Sequence, residues 1–180
     1  MSLKVLHISS NDSGGAGTAA YNTHRCLKDK GVNSSFLTLH KKTNNDDVIP
    51  YYKNKISSLL NRSSNKLREI IITSDRKFNF HGSWKDVVTD TSNLNLNLLN
   101  EPNVIILYSL SGFMDLEIIY ELKKKYRAKI FWYLMDMGPM TGGCHFAWDC
   151  SGYLSDCSNC PAVRNSFNQI PKKKLIKNKE

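Results

Sequence analysis

Long apolar runs are missing from this sequence of 180 residues, and none reaches the roughly 20 residues that cross a membrane as a helix. The N-terminus lacks the apolar core and cleavage site of a secretory signal, because Met1 to Lys4 leads directly into a strand-like run. No order of Ser, His and Asp indicates a catalytic triad. We therefore expect a cytoplasmic protein, in which disulfides are rare, with enough length for one domain and a real core.

Acidic residues are fewer than basic ones, and the net charge is +9. The excess is local. Residues 172–180 hold five lysines and one glutamate, and residues 53–77 hold seven Lys or Arg against Glu69 and Asp75. No nucleic-acid-binding motif accompanies this charge, so no nucleic-acid partner is predicted. Residues 162–180 are predicted to form a basic, disordered tail.

Four of the five cysteines lie in one loop, 141–161, in the order Cys144-x5-Cys150-x6-Cys157-x2-Cys160. The last pair is a C-x-x-C knuckle, which lets two thiolates and nearby backbone amides converge on one ion. Four thiolates around tetrahedral zinc would crosslink a loop that has little apolar material of its own. The first pair is spaced more widely than usual, and His145 is a spare ligand. Two disulfides, an iron–sulfur cluster and free thiols are the alternatives.

The N-terminal segment has the pattern of a βαβ unit. Residues 4–9, KVLHIS, predict a buried strand. A small, polar turn follows, then a helix from about Thr18 to Lys30 that Gly31 ends. Residues 34–39, SSFLTL, predict the next strand, and a right-handed crossover makes the two strands parallel. His7 and Cys26 are expected to be buried in the core.

Later elements continue this alternation. They are a polar loop at 43–47, a helix over 53–72, a short strand near 78–80 with loop after it, a strand at 103–108, a helix over 113–126 and a strand at 129–134. Together they predict an α/β fold in which a Rossmann-like parallel sheet is flanked by helices. The last strand is expected at or near an exposed edge of the sheet. Met135 and Asp136 follow this strand and are expected at the carboxyl edge of the sheet. Asp136 is the candidate polar group there, and capping of the next turn is its alternative role.

The helix over 53–72 is amphipathic, with apolar residues on one face and basic residues on the other. A basic amphipathic helix can rest on an anionic membrane. The favoured interpretation is a helix that covers the sheet and turns its charges to solvent.

The turn after the first strand holds Gly14, Gly15, Ala16 and Gly17. Glycines let the backbone approach a ligand, and the amides that open the next helix point toward an anion. The sequence Gly15-x-Gly17-x-x-Ala20 matches a dinucleotide fingerprint. The match is weakened because Ser10 to Gly14 stand between the strand and these glycines. The expected ribose-binding acid is also absent, and His40, Lys41 and Lys42 stand in its place. NADP binding and a turn without ligand remain alternatives.

Three segments resemble the N-terminal domain of two-domain, GT-B fold glycosyltransferases of family 4, especially a bacterial subgroup that builds lipopolysaccharide, capsule or exopolysaccharide. They are KVLHISSNDSGGAGTAAYNTHRCLKDKGVNS at 4–34, NVIILYSLSGFMDLEIIYELKK at 103–124 and MDMGPMTGGCHFAWDCSGYLSDCSNCP at 135–161. The third is the most specific, because its TGGCH start and C-x-x-C-P end at this spacing are hard to reach by chance. The three segments cover nearly half of the chain.

The resemblance implies transfer of a sugar from a nucleotide-sugar donor to a glycan or lipid-linked acceptor. It implies that this domain shapes the acceptor side and that the loop of Gly14, Gly15, Ala16 and Gly17 approaches donor phosphates or acceptor. Three positions depart from the subgroup. Met135 replaces a histidine thought to contact the sugar, Gly138 replaces a tryptophan, and Tyr108-Ser109 stands where a His-Trp pair often ends the strand.

Each domain of a GT-B enzyme takes about 150–200 residues, so residues 1–161 are expected to form an incomplete N-terminal domain. The donor-binding C-terminal half would then come from elsewhere, and the chain alone is expected to be inactive. A non-catalytic module that binds a glycan or a separate C-terminal half is the main alternative. An NADP-binding Rossmann domain is another. Contact with the inner face of an anionic membrane is a further possible interaction.

Overall fold

The structure is a computed structural model that describes residues 2–51, 55–81, 99–114 and 116–179, without the side chains of 55–58, 61 and 62. The chain forms two compact units. The first unit combines Met1–Ser58 with Val87–Met135, and the second combines Leu59–Asp86 with Asp136–Glu180. The division after Met135 differs from the single domain predicted over residues 1–161. The loop predicted between the strand near residue 80 and residue 100 lies mostly outside the described residues.

The first unit is built on a five-stranded parallel sheet. Its strands are β1 (Lys4–Asn11), β2 (Asn33–His40), β3 (Val48–Pro50), β4 (Val104–Leu107) and β5 (Lys129–Trp132), in the spatial order β3-β2-β1-β4-β5. The helices are α1 (Gly14–Asp29), α2 (Lys55–Ile72), which continues into the second unit, and α3 (Leu116–Tyr126). This order confirms the predicted α/β fold, a Rossmann-like parallel sheet flanked by helices.

Both faces of the central strand are buried, as expected for a parallel sheet covered by helices. Because successive side chains of a strand point to opposite faces, Leu6 and Ile8 enter a large apolar cluster that also contains Leu122 of α3. His7, between them, stacks against Phe36 and Tyr108. His7 is fully buried, which confirms its predicted core position.

Local details of the first unit depart from prediction at three points. Helix α1 begins at Gly14, four residues before the predicted start, so the glycine turn forms its first turn. Strand β3 was not predicted, because three residues are too short to show a period, and it exists by pairing Val48 with Phe36 of β2. Cys26 on α1 is exposed, so its predicted burial is wrong. Strand β5 lies at the edge of the sheet, as predicted.

The second unit has little regular structure and a small core. Its core cluster of buried apolar residues consists of Ile72, Phe78, Phe80, Cys144, Cys160, Ala162 and Val163. Ala147, Cys157 and Leu175 are also buried in this unit. The short strand predicted near 78–80 is a 3-10 turn, Arg76–Phe78, followed by an isolated bridge between Phe80 and Cys144. A second isolated bridge joins Thr73 to Val163. Three segments that are distant in sequence therefore meet around the cysteine loop.

Helix α2 does not bury its apolar face. Five apolar side chains are 43–67% exposed, namely Leu59, Leu60, Leu67, Ile70 and Ile71. At 100° per residue these five fall within an arc of about 120°, whereas buried Ile72 lies outside it. The favoured prediction of a sheet-covering helix is therefore wrong for the described part of α2. None of the helices in the described ranges is both long and apolar enough to cross a membrane.

The predicted disordered tail contains a helix, so that prediction is wrong for residues 169–179. Helix α4 (Gln169–Lys179) buries Pro171 and Leu175 in the second unit. Its Asn178 side chain donates to the carbonyl oxygens of Gly138 and Thr141. A Cβ on Gly142 would lie 2.5 Å from the Pro171 carbonyl oxygen. Only glycine therefore lets the cysteine loop approach α4 this closely.

Candidate functional site

The carboxyl ends of β1 and β4 define a candidate binding edge in the first unit. From β1 the chain crosses to β2 on one side of the sheet, and β4 pairs with β1 on the other side. The strand order therefore reverses between β1 and β4. In open α/β sheets, ligands bind at such a switch point, outside the carboxyl ends of the strands.

The loops after β1 and β4 are joined by hydrogen bonds. The Ser10 backbone N–H donates to the Ser109 carbonyl at 2.7 Å. The Ser10 hydroxyl donates to the carbonyls of Ser109 at 2.8 Å and Ser111 at 3.0 Å. Ser10 is 5% exposed, so these bonds are shielded from water. The two loops at the switch point are consequently held together.

Asp12 fixes the glycine turn from the other side. Its buried carboxylate accepts hydrogen bonds from the backbone amides of Lys42 and Thr43, both at 2.9 Å, and from the Thr43 hydroxyl at 2.7 Å. The carboxylate is therefore engaged in structure and does not serve as a ribose acceptor or a general base. Sequence reasoning missed this role, since the three donors come from a segment 30 residues away.

The glycines of this turn have different physical roles. Gly14 has φ +78°, in the left-handed region that favours glycine, and no atom lies within 4 Å of a Cβ built on Gly14 or Gly15. A Cβ on Gly17 would lie 2.6 Å from the Asn11 carbonyl oxygen. Gly17 therefore allows α1 to pack against the end of β1, whereas Gly14 and Gly15 leave the start of α1 open.

The start of α1 carries uncompensated amide donors. Ser13 makes no side-chain capping bond, and the first turn holds no acidic residue. The first amides of a helix have no partner within the helix, and together with the helix dipole they favour an anion. Ala16, the remaining residue of the predicted loop, is half-buried in this turn.

Asp136 belongs to the second unit, and both of its carboxylate oxygens are engaged there. One oxygen accepts from the Gly138 amide at 2.7 Å, which is the predicted capping of the turn. The other lies 3.1 Å from His145 Nδ1. Because this nitrogen of His145 faces a carboxylate, His145 is paired as an acid–imidazole couple and its Nδ1 is not available to a metal.

The four loop cysteines lie around one small cavity. All four side chains line one cavity of about 10 Å³, and three of them, Cys144, Cys157 and Cys160, are 6–7% exposed. A volume of about 10–15 Å³ holds roughly one water-sized particle. The cavity is therefore of the size of a single ion and too small for an organic ligand.

Backbone amides point at the sulfurs. The Gly152 amide donates to Cys150 Sγ at 3.4 Å. A backbone bond from Gly142 lowers the pKa of Cys157, although burial is the larger effect and raises it. The Val163 amide donates to the Cys160 carbonyl at 3.4 Å. The neighbouring Cys144 thiol, and after it the backbone bonds from Ala162 and Val163, lower the pKa of Cys160. These amides favour the charged form of sulfur, which is the form that binds metal.

Cys144 and Cys160 form a hydrogen-bonded thiol pair. The bond from Cys144, with help from the backbone bonds, lowers the pKa of Cys160 to about 7 against the opposing effect of burial. The same bond and burial raise the pKa of Cys144. All four thiols are free. As the side chains stand, no three His, Cys, Asp or Glu residues in the described ranges are disposed to hold a metal ion.

The four cysteines match zinc in the type of donor atom, but not in their present placement. Four sulfur donors surround one ion-sized cavity, and sulfur is the donor set of structural zinc sites. Amide donors to three of the sulfurs supply the outer-shell hydrogen bonds that such sites use.

Two buried histidines of the first unit, His7 and His24, lie side by side. Sequence reasoning predicted the burial of His7 and missed His24. His7 Nδ1 lies 3.0 Å from the Tyr108 hydroxyl, and His24 Nδ1 lies 2.8 Å from the Ser34 hydroxyl. The two imidazole rings are 5.6 Å apart, and both residues are fully buried. Burial, followed by the charge of His24, lowers the pKa of His7 to about 3. Neither ring therefore carries charge at neutral pH.

The fold and the switch point define the class of this protein as an α/β protein with a Rossmann-like parallel sheet. Comparison of the chain with family models, curated proteins and solved structures gave no match.

Proposed function

We propose that this chain is the acceptor-side, N-terminal domain of a GT-B fold, family 4 glycosyltransferase. Such an enzyme transfers a sugar from a nucleotide-sugar to a glycan or lipid-linked acceptor. The observation that carries the proposal is the open, uncapped start of α1 at the switch point between β1 and β4. The resemblance of three segments to this family supplies the reaction.

The start of α1 offers open space and hydrogen-bond donors to a phosphate or a sugar hydroxyl. Gly14 and Gly15 leave space above the backbone, and the amides of the first turn are donors without side-chain partners. The bonds of Ser10 to Ser109 and Ser111 hold the opposite wall in place. A surface that is already held in place loses little conformational entropy when a ligand binds.

Asp136 is proposed to orient His145, with which it is paired. The family resemblance places an imidazole next to this aspartate, where the chain has Met135, which cannot supply the same hydrogen bonds. His145 Nδ1 faces Asp136 at 3.1 Å. We infer that this Asp136–His145 pair of the second unit offers His145 Nε2 to a sugar hydroxyl.

An NADP-binding domain is the second candidate, because Lys41 and Lys42 follow β2 where a phosphorylated ribose would lie. Two contacts weigh against it. Lys41 Nζ donates to the Val48 carbonyl at 3.1 Å, and the Lys42 amide is bound to Asp12. The Lys41 ammonium is thus used within the fold, and the backbone at Lys42 is held by Asp12.

Ligand titration of the full chain, followed by amide NMR shifts, tests these alternatives. We expect an alkyl glycoside to shift the amides of Gly14, Gly15 and Gly17, without sugar transfer by the chain alone. UDP-glucose or GDP-mannose should shift them only at high concentration, through their phosphates, because the donor-binding half of such an enzyme is not in this test. NADPH should shift none of them. Binding of NADPH alone, or sugar transfer by the 180-residue chain without another domain, would contradict the proposal.

A charge variant gives a matched control. Gly15→Asp places a carboxylate in open space at the start of α1, where it stabilises the helix and repels a phosphate. Asn22→Asp adds the same charge at an exposed position of the same helix. We expect Gly15→Asp to abolish nucleotide-sugar binding with no loss of stability, and Asn22→Asp to bind as the native chain does. Equal binding by all three would refute the site.

Contact with an anionic membrane is proposed for α2. Its exposed apolar arc is flanked by Lys66 and Arg68 on the two sides, as in helices that lie in a membrane interface. We expect binding to vesicles with anionic lipid at low salt and loss of binding at high salt. Leu67→Asp should prevent binding. Ser63→Asp is the control, because it adds the same charge within the same arc without removing an apolar side chain. No binding at low salt would contradict the proposal.

A further inference from the structure

The second unit has too little apolar core to explain its own order. Among the described residues its core cluster holds seven buried residues, two of them cysteines, against fourteen in the cluster of the first unit. Its pairings among the described residues include two isolated bridges and no named strand. Small units with a core of this size depend on disulfides, metals or partners for stability. A crosslink would stabilise such a unit, and the four cysteines are the residues that can form one.

The cysteines are placed where a crosslink would have the largest effect. Cys144 is bridged to Phe80, and Cys160 lies next to the segment that bridges Thr73. Cys150 and Cys157 belong to the loop between them. An ion that joined all four sulfurs would tie residues 73–80 to both ends of the cysteine loop and so organise the whole core.

The backbone of the loop is strained in a way that needs compensation. Cys157 has φ +55° and Trp148 has φ +49°, in the left-handed region that costs energy for residues other than glycine. The Gly152 carbonyl accepts from the amides of both Ser155 and Cys157, which closes the loop behind the sulfurs. This strained, closed loop presents Cys157 and Cys160 toward the cavity that Cys144 and Cys150 line.

We propose that Cys144, Cys150, Cys157 and Cys160 bind one zinc ion as thiolates, and that this ion is required for folding of the second unit but not of the first. On binding, four thiols become four zinc–sulfur bonds and release four protons to solvent. The amides at Cys150, Cys157 and Cys160 then face thiolate sulfur. His145 is not among the proposed ligands, because it does not line the cavity that the four cysteines line.

The first unit does not need the ion. Its core is a continuous cluster of fourteen buried residues around a hydrogen-bonded sheet. Its only cysteine among the described residues, Cys26, lies on the exposed surface of α1. The proposal thus predicts a chain that loses one unit and keeps the other when metal is removed.

Metal content and thiol reactivity of the full chain test the ligand set. Protein purified without a metal-affinity column is expected to contain one zinc per chain. One thiol, Cys26, should react before chelation and all five after it. Replacement by cobalt(II) should give the visible bands of a tetrahedral thiolate site. Iron in place of zinc, two disulfides by mass, or five thiols reactive from the start would each overturn the proposal.

Hydrogen exchange tests the folding claim. After chelation we expect amides in 72–80, 144–163 and 169–179 to lose protection, while β1, β2 and β4 keep theirs. Zinc should restore the lost protection. A second unit that stays protected after complete removal of the metal, or a first unit that unfolds with it, would refute this part.

Cys150→Ser and Cys26→Ser form a matched pair of variants. Cys150→Ser removes one proposed ligand and is expected to lower zinc affinity at least tenfold, and Cys26→Ser should leave affinity unchanged. If Cys150→Ser does not yield soluble protein, chelation of the native chain still decides the question. Equal zinc affinity of the two variants would contradict the ligand assignment. None of these results depends on the proposed sugar transfer.

Discussion

Acid should destabilise the first unit through His7, whose ring lies in the core next to His24. The folded chain keeps His7 neutral, because burial and then the neighbouring His24 lower its pKa from 6.5 to about 3. The unfolded chain binds a proton below pH 6.5. Unfolding therefore takes up a proton between pH 6.5 and about pH 3, and the free energy of unfolding falls as the pH falls through this window.

The expected loss follows from the size of that pKa difference. Each pH unit below 6.5 costs about 1.4 kcal/mol for a group that is charged only when unfolded. Between pH 6.5 and pH 4.5 His7 alone therefore removes about 3 kcal/mol. Burial, followed by the charge of Lys28, lowers the pKa of His24 in the same direction, with Asp47 opposing, so His24 adds to the effect. The facing Tyr108 hydroxyl stays neutral, since burial raises its pKa.

His7→Phe isolates this contribution. A phenyl ring keeps the stacking against Phe36 and Tyr108, and the Tyr108 hydroxyl keeps its bond to Thr23. We expect the variant to lose about 1 kcal/mol at pH 7 from the missing hydrogen bond. At pH 4.5 it should be more stable than the native chain, because it has no ring nitrogen to protonate. The two curves of stability against pH should cross.

Urea unfolding followed by the fluorescence of Trp132 measures the first unit, with Trp84 and Trp148 replaced by Phe in every protein compared. Phe36→Leu in the same background is the matched control, since it loosens the same pocket and leaves His7 in place. Its curve should run parallel to that of the native sequence. Parallel curves for His7→Phe would refute the reasoning, because they would show that His7 does not change its protonation on unfolding.

Two further predictions concern glycines. Gly17→Ala should lower the free energy of unfolding of the first unit by about 1–3 kcal/mol in urea, because the new Cβ meets the Asn11 carbonyl oxygen at 2.6 Å. Gly15→Ala, with nothing within 4 Å, is its control and should change little. Gly142→Ala should displace α4 and speed hydrogen exchange there, since the Cβ would lie 2.5 Å from the Pro171 carbonyl oxygen. Slow exchange in α4 of that variant would show that the loop can shift.

The sheet illustrates what could be predicted. Strands β1, β2, β4 and β5 are signalled by apolar runs, and α1 and α3 by helical spacing, all of which are local properties of the chain. Strand β3 has three residues and depends on pairing with β2. The helix at the C-terminus has a weak period of its own, and packing of Pro171 and Leu175 stabilises it. Local signals therefore identified the long elements and missed those that exist through contacts.

The candidate sites divide in the same way. By itself the sequence determined the α/β class, the glycine turn after β1 and the four cysteines of one loop, because turn chemistry and ligand spacing are written in neighbouring residues. Only the tertiary structure decided which partners these groups meet. It paired Asp136 with His145, and it joined Asp12 to Thr43 and His7 to Tyr108 across 31 and 101 residues of chain. It also left the apolar face of α2 exposed. Such choices depend on how distant segments pack, and no local pattern encodes them.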